Sequence, residues 1–365
     1  AIGSCAYAAG NFSLPTVDDI SGKTVVYNDA PNSDQIAFYK LGTITYEAKD
    51  QYPIELQRLQ RFDFYNRKED RIPFDLDYFN KITKGGLPNK TLNIALAGTG
   101  VGKSLFMCHC AANNLMMGKN VLYISMEMSE EKIAERIDAN ILNIPIGDLP
   151  EITKNQFGKK VEKLKNKTQG KLIVKEYPTA AAHAGHFRHL LQELEIKKDF
   201  KPDIIFIDYL NICASQRIRP GAGANSYTLV KSIAEELRGV AVECDVPIMS
   251  ATQTTRSGFG STDIGLEDTS ESFGLPATAD LMFALITSEE LEELDQLVVK
   301  QLKNRYNDPT IFKRFVIGID RARMKLYDVE QEAQEELVDG EMLIDDSIPV
   351  ADRARPSTKF NDFNM

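Results

Sequence analysis

The stretch Ala97-Gly98-Thr99-Gly100-Val101-Gly102-Lys103-Ser104 has the residue types and spacing best suited to chemistry. It follows an apolar run, Thr91 to Gly98, and opens a helical pattern running from Lys103 to Met117. In a loop between strand and helix, Gly98, Thr99, Gly100, Val101 and Gly102 let the main chain wrap closely around a phosphate chain. The helix N-terminus adds free N–H groups and the positive end of a dipole. Lys103 supplies a point charge for the outer phosphates and Ser104 a hydroxyl for Mg2+, which together imply a bound nucleotide with Mg2+. Ala97 stands where the pattern G-x-x-x-x-G-K-[ST] has glycine, and the three neighbouring glycines supply the flexibility instead.

Phosphate binding is not hydrolysis, which also needs carboxylates at the ends of neighbouring strands. Asp208 ends the run IIFID and is placed to hold magnesium through water. The plainer alternative is an acid capping a turn. Glu127 closes YISME, where it can accept a proton from attacking water; its alternative is an acid beside the N-cap of a helix starting near Ser129. Gln253 closes VPIMSATQ, where an amide can sense the terminal phosphate, although by itself it carries little weight.

The elements that must position these groups are legible in the hydropathy pattern. NVLYISM, KLIVKEY, DIIFIDYL and VPIMSAT are strand-like runs separated by amphipathic helical stretches, and this alternation predicts right-handed crossovers and a mostly parallel sheet. Beyond residue 280, the runs LMFALIT, LVVKQLK, FKRFVIGID and KLYDV have shorter connections and predict antiparallel strands added at one edge. The fold class expected is α/β. Residues 1–50 keep no period and read as a loosely structured arm. Residues 51–72 read as a linker with a short amphipathic docking segment built on Ile54, Leu56, Leu59, Phe62 and Phe64. The ATPase domain is expected over 73–330, and 331–365 read as an acidic, disordered tail.

Composition bounds the class. At 43% hydrophobic and 26% charged residues, the 365-residue chain is globular rather than fibrous or disordered. No run approaches the length of a membrane helix and no secretory leader is recognisable, so no membrane partner is expected. Five cysteines without C-x-x-C spacing argue against disulfide and zinc frameworks and fit a reducing cytoplasm, that of a bacterial host if the gene is a phage's. The chain begins with alanine, as a processed product or a fragment would. Nine acids against three bases in residues 331–365 supply -6 of the net charge of -10, so the body can still carry a basic channel for nucleic acid.

The set AGTGVGKS, YISMEMSEEKIAERIDAN, IIFIDYLNIC, MSATQTTR and KNRY, in this order and spacing, resembles the DnaB-type replicative helicases, ring-forming members of the RecA-like ATPases. RIPFDLDYFNKITKGG, NSYTLVKSIAEELR and GLPATAD look like the T-even-type phage branch of that family. The resemblance covers residues 55 to 330 and does not include the family's N-terminal helical collar. It implies a RecA-like core, with Lys103 and Ser104 as P-loop lysine and magnesium ligand and Glu127 as catalytic base. Asp208 becomes the Walker B acid and Gln253 the link from nucleotide to DNA loops. Lys303 and Arg305 match the family's K-x-R, whose basic groups reach the nucleotide of the neighbouring subunit as an arginine finger. Composition alone reads these two as a solvated strand edge. The implied function is an ATP-dependent helicase motor, a homo-hexamer moving 5' to 3' on single-stranded DNA and working with a primase and a loader.

The chain after Asp208 carries Arg217 and Arg219, and that after Gln253 carries Arg256, Phe259, Glu271 and Phe273. Both loops leave the carboxyl ends of adjacent strands, so they can converge on a single strand, with backbone contacts from Arg217, Arg219 and Arg256, Glu271 beside them, and Phe273 or Phe259 stacking on bases. Without the resemblance they read as ordinary polar loops. His183, His186 and His189 have no accompanying acid or thiol cluster and read as the start of a surface helix rather than a metal site. Cys108 and Cys110 read as core residues. Two rival functions remain: a filament-forming recombinase of the same RecA-like class, and a non-catalytic nucleotide-binding scaffold or loading partner.

Overall fold

The computed structural model describes residues 69–165, 170–218, 225–254 and 274–329, together with two strands near the N-terminus. Contacts divide the chain into two units, residues 1–69 and 70–365. In the first, β1 (Thr24–Tyr27) pairs antiparallel with β2 (Ala37–Lys40), placing Val25 opposite Tyr39 and Val26 opposite Phe38. These strands lie in the stretch whose sequence keeps no long period. The docking segment expected at 51–66 and the acidic tail lie outside the described residues.

The second unit begins with a compact segment, β3 (Arg71–Ile72), α1 (Asp77–Ile82) and β4 (Leu87–Pro88), with β3 and β4 paired antiparallel. Its apolar residues Phe74, Leu76, Phe79 and Ile82 are buried. Asn80 closes the approach to the helix, its amide oxygen accepting from the Phe74 N–H at 2.9 Å and its amide nitrogen donating to the Phe74 carbonyl at 2.6 Å. Gly86, at φ +130°, is required: a Cβ there would lie 2.2 Å from the Ile72 carbonyl oxygen.

The remaining strands are β5 (Leu92–Ala97), β6 (Val121–Ser125), β7 (Leu172–Glu176), β8 (Ile204–Asp208), β9 (Ile248–Gln253), β10 (Leu281–Ile286), β11 (Gln296–Asn304), β12 (Arg314–Asp320) and β13 (Lys325–Asp328). They form one sheet in the order β13-β12-β11-β10-β5-β9-β8-β6-β7. The strands from β5 to β10 pair in parallel, and β11, β12 and β13 return antiparallel. The antiparallel edge expected from the short connections is therefore present, with one correction. LMFALIT forms β10, which runs parallel to β5, because the long connection from β9 gives the chain room for a crossover.

Alternation along the central strands feeds two cores. Leu92, Ile94 and Leu96 of β5 face the side covered by α5 (Ala184–Lys198) and α6 (Ser226–Cys244). Ala95 and Ala97 face α2 (Lys103–Met116) and α3 (Glu130–Leu142), and these small side chains let the helix after the glycine loop approach the sheet. α2 is buried on nearly every face, as a helix enclosed by a sheet and flanking elements must be. On that side Phe79 packs at 5.0–5.3 Å between ring centroids on Phe74, Phe106, Phe283 and Phe315. α4 (Lys154–Lys165) is a helix the hydropathy pattern does not announce. Its KNQFGKKVEKLK has Phe157, Val161 and Leu164 as sparse apolar positions and a glycine inside. α7 (Gly274–Thr278) and α8 (Glu289–Glu293) are short connectors.

Candidate functional site

Four adjacent parallel strands, β5, β9, β8 and β6, end on one edge of the sheet, and the residues predicted for the site lie at or just past those ends. Register sets Ala97 opposite Gln253 and Ser125 opposite Asp208. The loop after β5 uses positive φ at Gly100 (82°) and Gly102 (131°), a conformation glycine adopts without a Cβ penalty. The α2 N-terminus follows directly. The Lys103 ammonium donates to the carbonyls of Gly98 at 2.9 Å and Ala97 at 3.3 Å. Burial lowers its pKa, opposed by the negative charges of Glu127 and Asp208.

Asp208 is fully buried at the end of β8. Its Oδ2 accepts from the Tyr123 hydroxyl at 2.9 Å, while Oδ1 is buried without a hydrogen-bond partner among the described residues. Burial raises the carboxyl pKa, against the lowering effect of the hydroxyls of Tyr123 and Ser104. A buried carboxylate oxygen with spare acceptor capacity beside a serine hydroxyl is the hard-oxygen donor set that suits Mg2+, so Ser104 and Asp208 fit the ion.

Glu127 is exposed two residues past β6, in a turn pinned from several sides. The Ser125 hydroxyl donates to the Met128 carbonyl at 2.6 Å and accepts from the Met128 N–H at 3.0 Å; the Met126 N–H reaches the Asp208 carbonyl at 2.9 Å. The helix after this turn is N-capped by Ser129, leaving the Glu127 carboxylate outside the capping hydrogen bonds. Gln253 lies at the end of β9 beside the loop, and the Thr254 N–H reaches the Ala97 carbonyl at 3.4 Å.

Lys303 and Arg305 are elsewhere. Antiparallel pairing puts Asn304 level with Leu281, which is level with Asn93 near the start of β5. From there to Ala97 the strand rises about 13 Å, and the glycine loop lies beyond. The two basic residues therefore occupy the opposite edge of the sheet from the glycine loop of their own chain. Arg305 Nη1 donates to Asp280 Oδ1 at 2.8 Å and Nη2 to the Ala277 carbonyl at 3.1 Å. Lys303 donates to the carbonyls of Pro276 and Ala277. Burial, reinforced by Arg305 and Arg238, lowers the Lys303 pKa, while Asp280 opposes the shift.

Of the residues expected to touch nucleic acid, Arg217 is described. It is exposed and pairs with Glu235 of α6 at 2.7 Å. Arg219, Arg256, Phe259, Glu271 and Phe273 lie outside the described residues. The three histidines form no metal cluster among the described residues. His183 N-caps α5, accepting from the Gly185 N–H, and His186 accepts from the His183 N–H in return. Cys108 and Cys110 are buried, and burial pushes the Cys108 thiol up to about 12.

Sequence reasoning missed several partners of these groups. Tyr123 looks like one more apolar strand residue until β6 and β8 are paired. Asp280 and Arg238 lie 42 positions apart and meet through tertiary packing alone. Arg321, in the turn between β12 and β13, points Nη1 at the Gly100 carbonyl at 3.5 Å and pairs with Glu292 at 3.6 Å. Only the antiparallel return of β12 brings that turn to the glycine loop.

This sheet order, with a glycine loop closing β5 and acids at or just past the ends of β8 and β6, is that of a RecA-like P-loop fold. Residues 72–313 match the family described as DnaB-like helicase C terminal domain, and the chain belongs to that family. It is 48% identical over 272 residues to the DnaB-like replicative helicase of Enterobacteria phage T4, a match covering 74% of this chain and 57% of the phage protein. The chain thus spans little more than half the length of that relative. Among solved structures, the fold is similar, with a TM-score of 0.62 and 16% identity, to that of a DnaB-like replicative helicase described with its interactions with primase, over 77% of this chain and 68% of that one. A second solved structure, an isolated ATPase domain, matches with the same score and identity, over 77% of this chain and 100% of that domain.

Proposed function

We infer that the chain is the motor part of an ATP-driven replicative DNA helicase, assembled as a homo-hexamer that moves on single-stranded DNA, 5' to 3' by family resemblance. One observation carries the reading. Lys103, Ser104, Glu127, Asp208 and Gln253 gather at one edge of the sheet, while Lys303 and Arg305 sit at the other, beyond reach of their own glycine loop. A finger at that position serves a nucleotide held by the next copy in a head-to-tail repeat, which forms a ring if the rotation between copies closes and a filament if it does not; family resemblance favours the ring.

In this reading the loop and the α2 N-terminus cradle the phosphates of ATP, with Lys103 leaving its own carbonyls for the outer phosphates. Ser104 and Asp208 would hold Mg2+, which when bound would supply positive charge against the negative charge developing on the phosphates. Glu127 orients and deprotonates water, Gln253 relays the state of the nucleotide to the chain leaving β9, and Arg305 with Lys303 stabilises charge in the neighbouring site. Arg217, Arg219, Arg256, Glu271 and Phe273 are the proposed strand-contacting set. For Arg217 this requires exchanging its pairing with Glu235 for a phosphate, a modest loss for an exposed pair.

A primase and a loader are proposed partners, and a bacterial cytoplasm the proposed setting; no helix among the described residues is long and apolar enough to cross a membrane. Family membership does not favour the recombinase or the scaffold, and a scaffold has no need of the complete set of catalytic residue types. The test is ATP turnover with and without single-stranded DNA, together with strand displacement, for the chain and its Lys103→Ala variant. Stimulated turnover and displacement that vanish in the variant are expected. Turnover without displacement by a ring known to be closed would withdraw the helicase reading.

A further inference from the structure

Asp280 is the buried centre of the opposite edge. Its side chain is 5% exposed and receives four hydrogen bonds from three directions. Oδ2 accepts from Arg238 Nε at 3.1 Å and from the Leu92 N–H at 3.0 Å. Oδ1 accepts from Arg238 Nη2 at 3.1 Å and from Arg305 Nη1 at 2.8 Å. The Arg305 backbone N–H also donates to the Asp280 carbonyl at 2.9 Å. Arg305 Nη2 donates to the Ala277 carbonyl at 3.1 Å and the side chain is 46% exposed, so both terminal nitrogens are anchored while the guanidinium stays partly open to solvent. A cavity of about 400 Å³ opens beside it, lined by Glu235, Arg238, Glu243, Ala277, Thr278 and Arg305 among others.

A carboxylate that contacted Arg305 alone could turn with it. This one is gripped bidentately by Arg238 from α6, a rigid 19-residue helix, and by the first N–H of β5. Its oxygens are therefore fixed before Arg305 arrives. Two guanidinium groups on the single Asp280 carboxylate leave one positive charge in excess within this cluster, and Lys303 adds to it, while Glu243 and Glu235 on the cavity wall have cations of their own in Arg188 and Arg217. A donor held in place before charge develops stabilises that charge without reorganising, which is the larger part of such stabilisation.

We propose that Asp280 and Arg238 are positioning residues for the trans-acting finger: Arg238 locks the Asp280 carboxylate, and the locked carboxylate holds Arg305 with its solvent-open part directed outward to the terminal phosphate of the neighbouring copy's nucleotide. The proposal rests on the trans reading of Arg305. It assigns function to an ion pair that otherwise only joins α6 to the start of β10.

Asp280 also ties down β5, so its removal risks the fold, and Arg238 is the informative position. Arg238→Met, Arg238→Lys and Arg305→Ala rings would be compared for ATP turnover, KM and affinity for ADP with and without aluminium fluoride, a mimic of the phosphoryl group in transfer. Arg238→Met is expected to lower kcat about tenfold with KM and ADP affinity unchanged, and to weaken the added affinity that aluminium fluoride confers by a similar factor. Arg238→Lys, which keeps the charge but not the bidentate grip, should recover part of both. Wild-type kcat and fluoride response in Arg238→Met, beside an inactive Arg305→Ala, would overturn the positioning role and leave the finger standing. Parallel loss of ADP affinity would overturn it too, as a general structural effect. A fully active Arg305→Ala would remove the finger reading itself.

Discussion

Lys103 and Asp208 carry opposite charges at a buried site, and each is shifted toward its neutral form by burial. For Asp208 the sign follows from linkage. A carboxyl whose folded pKa lies above its unfolded one binds protons more readily when folded, so its ionised form weakens the fold at higher pH. That weakening disappears as pH falls through the raised folded value toward the unfolded one. Asp208→Asn should therefore melt at a higher temperature than the parent near neutral pH, with the gap narrowing on acidification, while losing ATP turnover. Melting curves across pH check the direction; an unstable variant at neutral pH would show that Asp208 contributes net stability. Glu127 lies outside the capping hydrogen bonds of its helix and has little structural work. Glu127→Gln should keep nucleotide binding and lose about 10²–10⁴-fold in turnover, the usual contribution of a positioned base. Single-turnover hydrolysis beside nucleotide binding separates the two effects.

At the scale of elements, the segment RIPFDLDYFNKITKGG explains itself by packing. Phe79 is fully buried among four aromatic rings, joining α1 to α2, β10 and β12 at once. Phe79→Ala should cost about 3–5 kcal/mol in urea unfolding, since rings held by several elements cannot collapse fully into the space left. Gly86→Ala should cost on the order of 1 kcal/mol or more, because the added Cβ meets main chain rather than a side chain that can turn away. β10 and β11 then perform a function of their own: the reversal between them carries Lys303 and Arg305 to the edge away from the glycine loop.

On the scale of the whole molecule, the proposed division of the catalytic set between opposite edges would make turnover a property of the assembly. Arg305→Ala should bind ATP like the parent and lose about 10³-fold in turnover, as removal of an arginine finger does. Turnover per chain of the unaltered protein should rise with protein concentration until assembly is complete. A rate per chain independent of concentration, measured across the range in which a ring forms, would show that one copy suffices and that Arg305 does not act in trans.

Much of this was legible in residue order because its causes are local. A strand, a glycine loop and a helix N-terminus are consecutive, so AGTGVGKS announced this strand–loop–helix unit even with Ala97 in place of glycine. The parallel strands were legible as apolar runs because both faces of the sheet are covered, which keeps most register positions apolar, with Asn93, Ser250 and Thr252 as buried polar exceptions. α4 was not, since a polar helix with a glycine inside has no strong period to display. The direction of LMFALIT was not either, for a strand's hydropathy is the same whichever way it runs and only the crossover decides.

By itself, the sequence determined the class of chemistry, the α/β alternation and the residues that could meet a nucleotide, because short-range spacing and binary pattern dictate strands, loops and helix ends. Only the tertiary structure decided which of those residues share an edge. It placed Gln253 beside Ala97 and Asp208 beside Ser125, took Lys303 and Arg305 to the far side, and brought Arg238 and Asp280 together beside Arg305. These are consequences of strand order and register, which follow from how crossovers pack and bury two cores at once, and no local stretch of sequence records them.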